Sequence, residues 1–445
     1  MRENSFYRNF FNIYIALVLQ NVITISVNLA DNIMLGSYSE SALAGVAAVN
    51  QIQFVYQQLL MALGEGVVIF CSQYWGKREI EPMKKISSIA MHAALGIGII
   101  LFLAVSIFPM QSMHIFTTEP AIAAEGVRYL TVIRFTYLFF AVTQILLATL
   151  RSVETVKIAF YMSIVTFFIN CGMNYILIFG HFGAPELGSA GAAIGTLCAR
   201  IVECMVIIWF VKKKDTKLGL KLTDYGQRDA KLRKAYFKIT IPMLFVQGLW
   251  GVNTALQTAI LGHMTAAAIA ANSAASNLFL LVKSTAVGAA STASVIIGKT
   301  IGMGDMDQVK LNAKKLQKLF LIIGICSGVL LFFLRIPVLS LYNLQPATKA
   351  MANTFLMILS VVCVGMSYQM PTNNGIIRGG GNAMFVVKMD LISIWCIVIP
   401  LSLFMAFVVK ASPVVVVCCL NADQIFKCVP AYLESHYGNW IRKLT

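Results

Sequence analysis

Long apolar runs separated by short polar and basic breaks repeat along the whole chain. Twelve runs, at residues 10–33, 45–73, 87–108, 127–150, 158–180, 189–211, 235–261, 268–297, 316–340, 350–377, 384–408 and 413–435, have the length and composition of membrane-crossing helices, which need about 20 apolar residues each. The pattern predicts an all-α polytopic membrane protein of twelve transmembrane helices. No cleavable leader pattern stands before the first run, so that run is expected to direct insertion as well.

Composition agrees with the pattern. Hydrophobic residues make up 58% of the 445 and charged ones 12%, where a soluble domain carries about 25% charged residues. A net charge of +16 would fit nucleic-acid binding if the bases formed one patch. They do not. With the N-terminus inside and twelve alternating spans, 28 of the 35 Lys and Arg fall on inside segments. Arg128, Arg134, Arg335, Lys349 and Lys410 fall outside, and Arg200 and Lys283 lie within spans. This asymmetry is the positive-inside signature. It predicts a plasma-membrane protein, the cell inner membrane in a bacterium, with both termini cytoplasmic and no nucleic-acid partner. The ten cysteines and five histidines are scattered without metal-ligand spacing, so neither a zinc site nor a disulfide framework is expected.

The most polar connection, 212–234, divides the spans six and six. Residues 1–211 and 235–445 also match at an offset of 226. Leu35-Gly36 corresponds to Leu261-Gly262; Ala42, Ala44 and Ala48 correspond to Ala268, Ala270 and Ala274; Gly76 corresponds to Gly302. Six is even, so the two six-helix lobes have the same orientation in the membrane. Such parallel repeats place substrate at their interface. The loops after the second and eighth spans, YWGKREIEPMKK and IGMGDMDQVKLNAKK, read as helix stops and starts.

Two spans carry polar stripes. At 100° per residue, Gln20, Asn21, Thr24, Asn28 and Asp31 share one face of the first helix, and Gln247, Trp250, Asn253, Thr254 and Gln257 share the matching face of the seventh. Amides and hydroxyls can serve as glue between helices, but two stripes in register point to a wet cavity. Asp31 is the chemical asymmetry, because its counterpart in the second half is Gln257. A carboxylate inside a membrane is costly and by default functional. Depth counting brings Asn170, Asn174 and Thr196 to the level of Asp31. Four oxygen-bearing side chains there suit a hard cation such as sodium, and the carboxylate is equally able to carry a proton. Arg200 and Glu203, at i,i+3, are expected to pair. Lys283 has no obvious local partner and is a candidate mobile or substrate-sensing charge, and Tyr368 of the tenth span is counted with it among the residues of the proposed cavity. Glu65, Asp390 and Asp423 read as paired structural groups.

The stretches NLADNIMLGSYSESALAGVAAVNQI, QYWGKREIEPMKK, INCGMNYILIFGHFGAPELGSAGAAIGT and IIRGGGNAMF together resemble the multidrug and toxic compound extrusion (MATE) transporters, from Phe10 to about Lys443. The resemblance implies two six-helix bundles around a cleft and a monomer in the lipid bilayer. It implies export of small organic cations by antiport with sodium ions or protons, with no enzymatic activity and no cofactor beyond the coupling ion. Asp31 matches the family's essential first-helix acid; Asn170, Asn174 and Thr196 match positions lining a first-lobe cation pocket. Some departures are visible. Asn174 stands where certain members have Asp, Trp250 where others have Glu, Ser367 and Tyr368 supply no tenth-span acid, Ala16 replaces a first-helix Pro, and Asn382 replaces a loop Asp. The alternative is a flippase for a lipid-linked precursor, which shares the architecture but calls for a basic central cavity.

Overall fold

The computed structural model describes residues 3–117, 119–226, 229–340 and 345–444. Among them every regular element is helical, and strand geometry is confined to an isolated bridge between Gly381 and Ile441. Eleven helices are long and apolar enough to cross a membrane: Ser5–Tyr38, Glu40–Lys77, Ile80–Ile107, Lys157–Phe179, Ser189–Lys213, Ala230–Leu261, Ala270–Met303, Met306–Ser340, Pro346–Ile377, Ala383–Val408 and Pro413–Tyr437. A twelfth crossing is a broken one. Pro120–Ile133 and Thr136–Ser152 meet at 53° and together pass the same test. In chain order this pair is the fourth span, and spans are counted accordingly below.

The break has a local cause. The Thr136 hydroxyl donates to the Ile133 carbonyl at 2.6 Å, while the Tyr137 N–H turns to Arg134 O at 3.2 Å. The carbonyl that would have continued the α-helical ladder is thus taken by a side chain. The sequence pattern placed a single uninterrupted span at 127–150, so periodicity alone missed this bend. In the tenth span Pro371 offers no N–H, and the following turn Thr372–Ile377 widens to π geometry, with the Arg378 N–H reaching Asn373 O at 2.9 Å. The seventh helix remains α-helical through Pro242.

The chain forms two compact units. One comprises 19–71 and 79–240; the other comprises 1–18, 72–78 and 241–445. Within the first unit, the polar connection after the sixth span is tied to the start of the third. Lys84 meets Glu81 at 3.0 Å and Asp224 at 3.5 Å, Lys85 meets Asp229 at 3.3 Å, and the Ser88 hydroxyl donates to Tyr225 O. Asp229 begins the seventh span by accepting from the N–H groups of Lys231 and Leu232. The Leu232 N–H, with help from Lys85, holds this carboxyl below the usual carboxylate range. Glu65 pairs with Arg151 at 2.8 Å, as expected of a membrane carboxylate.

The second unit shows where the repeat matters to packing. Leu261 and Ala268 are fully buried there, and their counterparts Leu35 and Ala42 are fully buried in the first unit. The repeat-related glycines Gly76 and Gly302 pack directly on each other. A Cβ added at Gly302 would strike the Gln73 carbonyl oxygen and come within 2.9 Å of Gly76 Cα. The Gln73 side chain is then held by the C-terminal tail, donating to Arg442 O at 3.1 Å and accepting from the Leu444 N–H at 2.9 Å.

Gly302→Val is expected to destabilise the protein by about 1–3 kcal/mol through overpacking against backbone that cannot retreat. Gly96→Ala, with nothing within 4 Å of the added carbon, is expected to be neutral or stabilising by up to about 1 kcal/mol from helix propensity. Thermal melts of the purified variants in detergent measure both, and equal stability of the two would refute the contact argument.

Candidate functional site

The first helix delivers Asp31 to the fifth and sixth. Asn170 and Asn174 lie one turn apart on the fifth, so both amides face the same way. The sixth helix approaches this face closely because Gly191 and Gly195, in the run GAAIG, present no side chain. An added Cβ at Gly191 would come 2.5 Å from Leu177 O, and one at Gly195 would collide with Asn174 Oδ1. Small residues at i,i+4 allow this approach between membrane helices. Thr196, next along the helix, is thereby brought to Asn170.

These four side chains form one connected chain. Asn174 Nδ2 donates to Asp31 Oδ1 at 2.6 Å and to Asn170 Oδ1 at 3.3 Å, and Asn170 Nδ2 donates to Thr196 Oγ1 at 3.1 Å. Asn170 and Asn174 are buried, whereas Asp31 is half-buried. Asn174 Oδ1 is enclosed and has no hydrogen-bond partner. Amide, carboxylate and hydroxyl oxygens are hard donors, the kind that small hard cations take.

Asp31 opens onto a cavity of about 60 Å³, enough for a few water molecules or a small hydrated ion. Its wall includes Asn28, Gln53, Tyr129, Thr196 and Arg200. The Arg200 guanidinium donates to Glu203 at 2.7 Å and lies 4.6 Å from the Phe140 ring centroid. The i,i+3 pair read from the sequence therefore exists, and its basic member faces the same cavity as Asp31. Gln53, Tyr56 and Gln57, together on the second helix, also line it, and sequence reasoning missed them. Their i,i+3,i+4 spacing was the available signal; Tyr129 gave none, because it lies on the other side of a bend.

The remaining predicted residues are placed as follows. In the first unit Thr24 is exposed and its hydroxyl bonds back to Gln20 O at 2.9 Å, so neither Gln20 nor Thr24 lines the Asp31 cavity. In the second unit Gln257 Nε2 reaches Asn253 Oδ1 at 3.4 Å, and the Lys283 ammonium lies 4.6 Å above the Trp250 ring. Gln247 and Tyr368 are half-buried, and the Tyr368 carbonyl accepts from the Thr372 hydroxyl. Asp390 and Asp423 both pair with Lys427, at 2.8 and 3.1 Å.

Comparison with known proteins agrees with this architecture. The MatE family model matches residues 16–176 and again 234–404, which makes the internal repeat explicit. The chain is 25% identical over 417 residues to the uncharacterized transporter YisQ of Bacillus subtilis, covering 93% of this chain and 90% of that one. It is 23% identical over 430 residues to the probable multidrug resistance protein NorM of Thermotoga maritima, covering 95% and 91%. Among solved structures, a MATE protein in complex with MaL6 superposes with a TM-score of 0.88 at 15% identity, covering 96% of this chain and 95% of that one. A family match that spans both halves and a shared fold over nearly the whole length leave one assignment: the chain belongs to the MATE family of multi-pass membrane transporters, the multidrug and toxic compound extrusion family.

Proposed function

We propose that this protein exports small organic cations across the plasma membrane by alternating access, in exchange for sodium ions or protons taken up at Asp31. The observation that carries the reading is the connected set Asp31, Asn174, Asn170 and Thr196 opening onto a small polar cavity. A carboxylate held this way at membrane depth has a reason to exchange a cation, and little reason to exist otherwise. A relative described as a probable multidrug resistance protein supports a drug-like cargo.

In this reading the ion arrives from outside, neutralises Asp31 and weakens its 2.6 Å bond to Asn174, which changes how the first helix is held. One cation moving inward across 100 mV releases about 2.3 kcal/mol. That is roughly a 50-fold bias, reduced by whatever charge leaves with the substrate. The basic 212–234 connection and both termini face the cytoplasm, and one chain forms the working unit.

Asp31→Asn is expected to insert at normal levels and lose ion-driven efflux. Dye efflux from cells with matched membrane expression measures this, and wild-type efflux by the variant would end the proposal. Asn174→Ala removes a charge-assisted hydrogen bond, a contribution of about 1.5–3 kcal/mol. It should therefore shift the coupling-ion concentration for half-maximal efflux by roughly tenfold or more. Vesicles with separately imposed sodium and pH gradients identify the ion. Efflux that responds to neither gradient would exclude antiport.

A further inference from the structure

The second unit contains a membrane charge that the coupling site does not use. Lys283 lies 17 residues after Ala266 and 20 before Met303 in a continuous helix, about 26 Å and 30 Å along the axis from its two ends. It also sits at the centre of the apolar run 268–297, where a charge is costly in a membrane. Its ammonium turns to the seventh helix and lies 4.6 Å over the Trp250 ring. Among the described residues it meets no carboxylate within ion-pair distance and no hydrogen-bond acceptor.

The acids that would neutralise it are already engaged. Lys427, with its side chain only 4% exposed, holds Asp390 at 2.8 Å and Asp423 at 3.1 Å. Asp423 also accepts from Gln424 Nε2 at 2.9 Å. Gln424 Oε1 accepts from Gln369 Nε2 at 2.8 Å, and Gln369 Oε1 accepts from Asn373 Nδ2 at 3.0 Å. This network closes around Lys427 and ends at Asn373, whose Oδ1 has no partner. Asp423 is taken up by these partners and makes no bond to Lys283. An ammonium with its N–H donors unspent, turned toward a polar stripe on the seventh helix, lacks an anionic partner.

From this we infer that Lys283, set against Trp250, is a specificity-determining residue that recognises a carboxylate on the transported molecule. The favoured substrates are then amphipathic zwitterions, carrying both a cationic centre and a carboxylate, above simple monocations of the same shape. The inference rests on the export reading above and narrows its substrate class. The aromatic face keeps the ammonium in place without neutralising it. Its three donors remain available to a carboxylate, and the half-buried lysine would meet it through charge-assisted hydrogen bonds, roughly twice as strong as neutral ones.

The test uses full-length protein in phosphatidylcholine nanodiscs, where no anionic lipid competes. A xanthene dye with a free carboxylate and the same dye as its ethyl ester are titrated by fluorescence polarisation. Wild type is expected to bind the acid dye more tightly than the ester. Lys283→Gln should lower the acid-to-ester affinity ratio by roughly tenfold, mostly through the acid dye, and Lys283→Arg should keep most of the ratio. An unchanged ratio in Lys283→Gln, or equal losses for both dyes, overturns the inference and leaves the export reading standing. Should Lys283→Gln not fold, a wild type that prefers the ester overturns it directly. A wild type that binds neither dye and extrudes neither from cells overturns both readings.

Discussion

A polar group inside a lipid bilayer has no water to fall back on, and the first-unit site is organised by that constraint. Asp31 depends on the Asn174 amide, Asn174 on its neighbour Asn170, and Asn170 on Thr196. The last of these contacts, Asn170 to Thr196, depends on the bare faces of Gly191 and Gly195, which let the sixth helix close on the fifth. The Thr196 end of the site is thus a consequence of helix approach. One amide oxygen, that of Asn174, stays without a partner. In a buried position such a group is an exception.

The two repeats have used the same helical plan for different electrostatics. In the first unit the acid is presented to a small cavity with Arg200 across from it, held by Glu203 and the Phe140 ring. In the second, the carboxylates Asp390 and Asp423 share Lys427 and are buffered by a line of amides. Removing one partner of such a buried pair is costly because it strands the other charge. The second unit therefore keeps its acids engaged on Lys427 and leaves Lys283 over Trp250, whereas the first presents Asp31 to a cavity.

Much of this was legible in the chain. The apolar runs gave the number and order of spans because lipid imposes a minimum length on any helix that crosses it. The 226-residue offset and the placement of Lys and Arg gave two equivalent halves. Asp31, Asn170, Asn174 and Thr196 emerged from depth counting, since residues at one depth on inward faces have few other places to go. The pairing of Arg200 with Glu203 followed from helical spacing alone, and that of Glu65 from the cost of an unpaired membrane acid.

What the sequence could not supply was decided by contacts between segments distant in the chain. The 53° break of the fourth span depends on which carbonyl the Thr136 hydroxyl takes, a choice that hydropathy does not register. Tyr129 and Gln53 join the cavity wall only because that bend and the second helix meet there. The order of donors within the Asp31 chain, and the engagement of both second-unit acids by Lys427 with Lys283 left over Trp250, are likewise tertiary facts. Periodicity along a helix fixes which face a residue occupies. Only the packing of that face against another helix fixes which atom it meets.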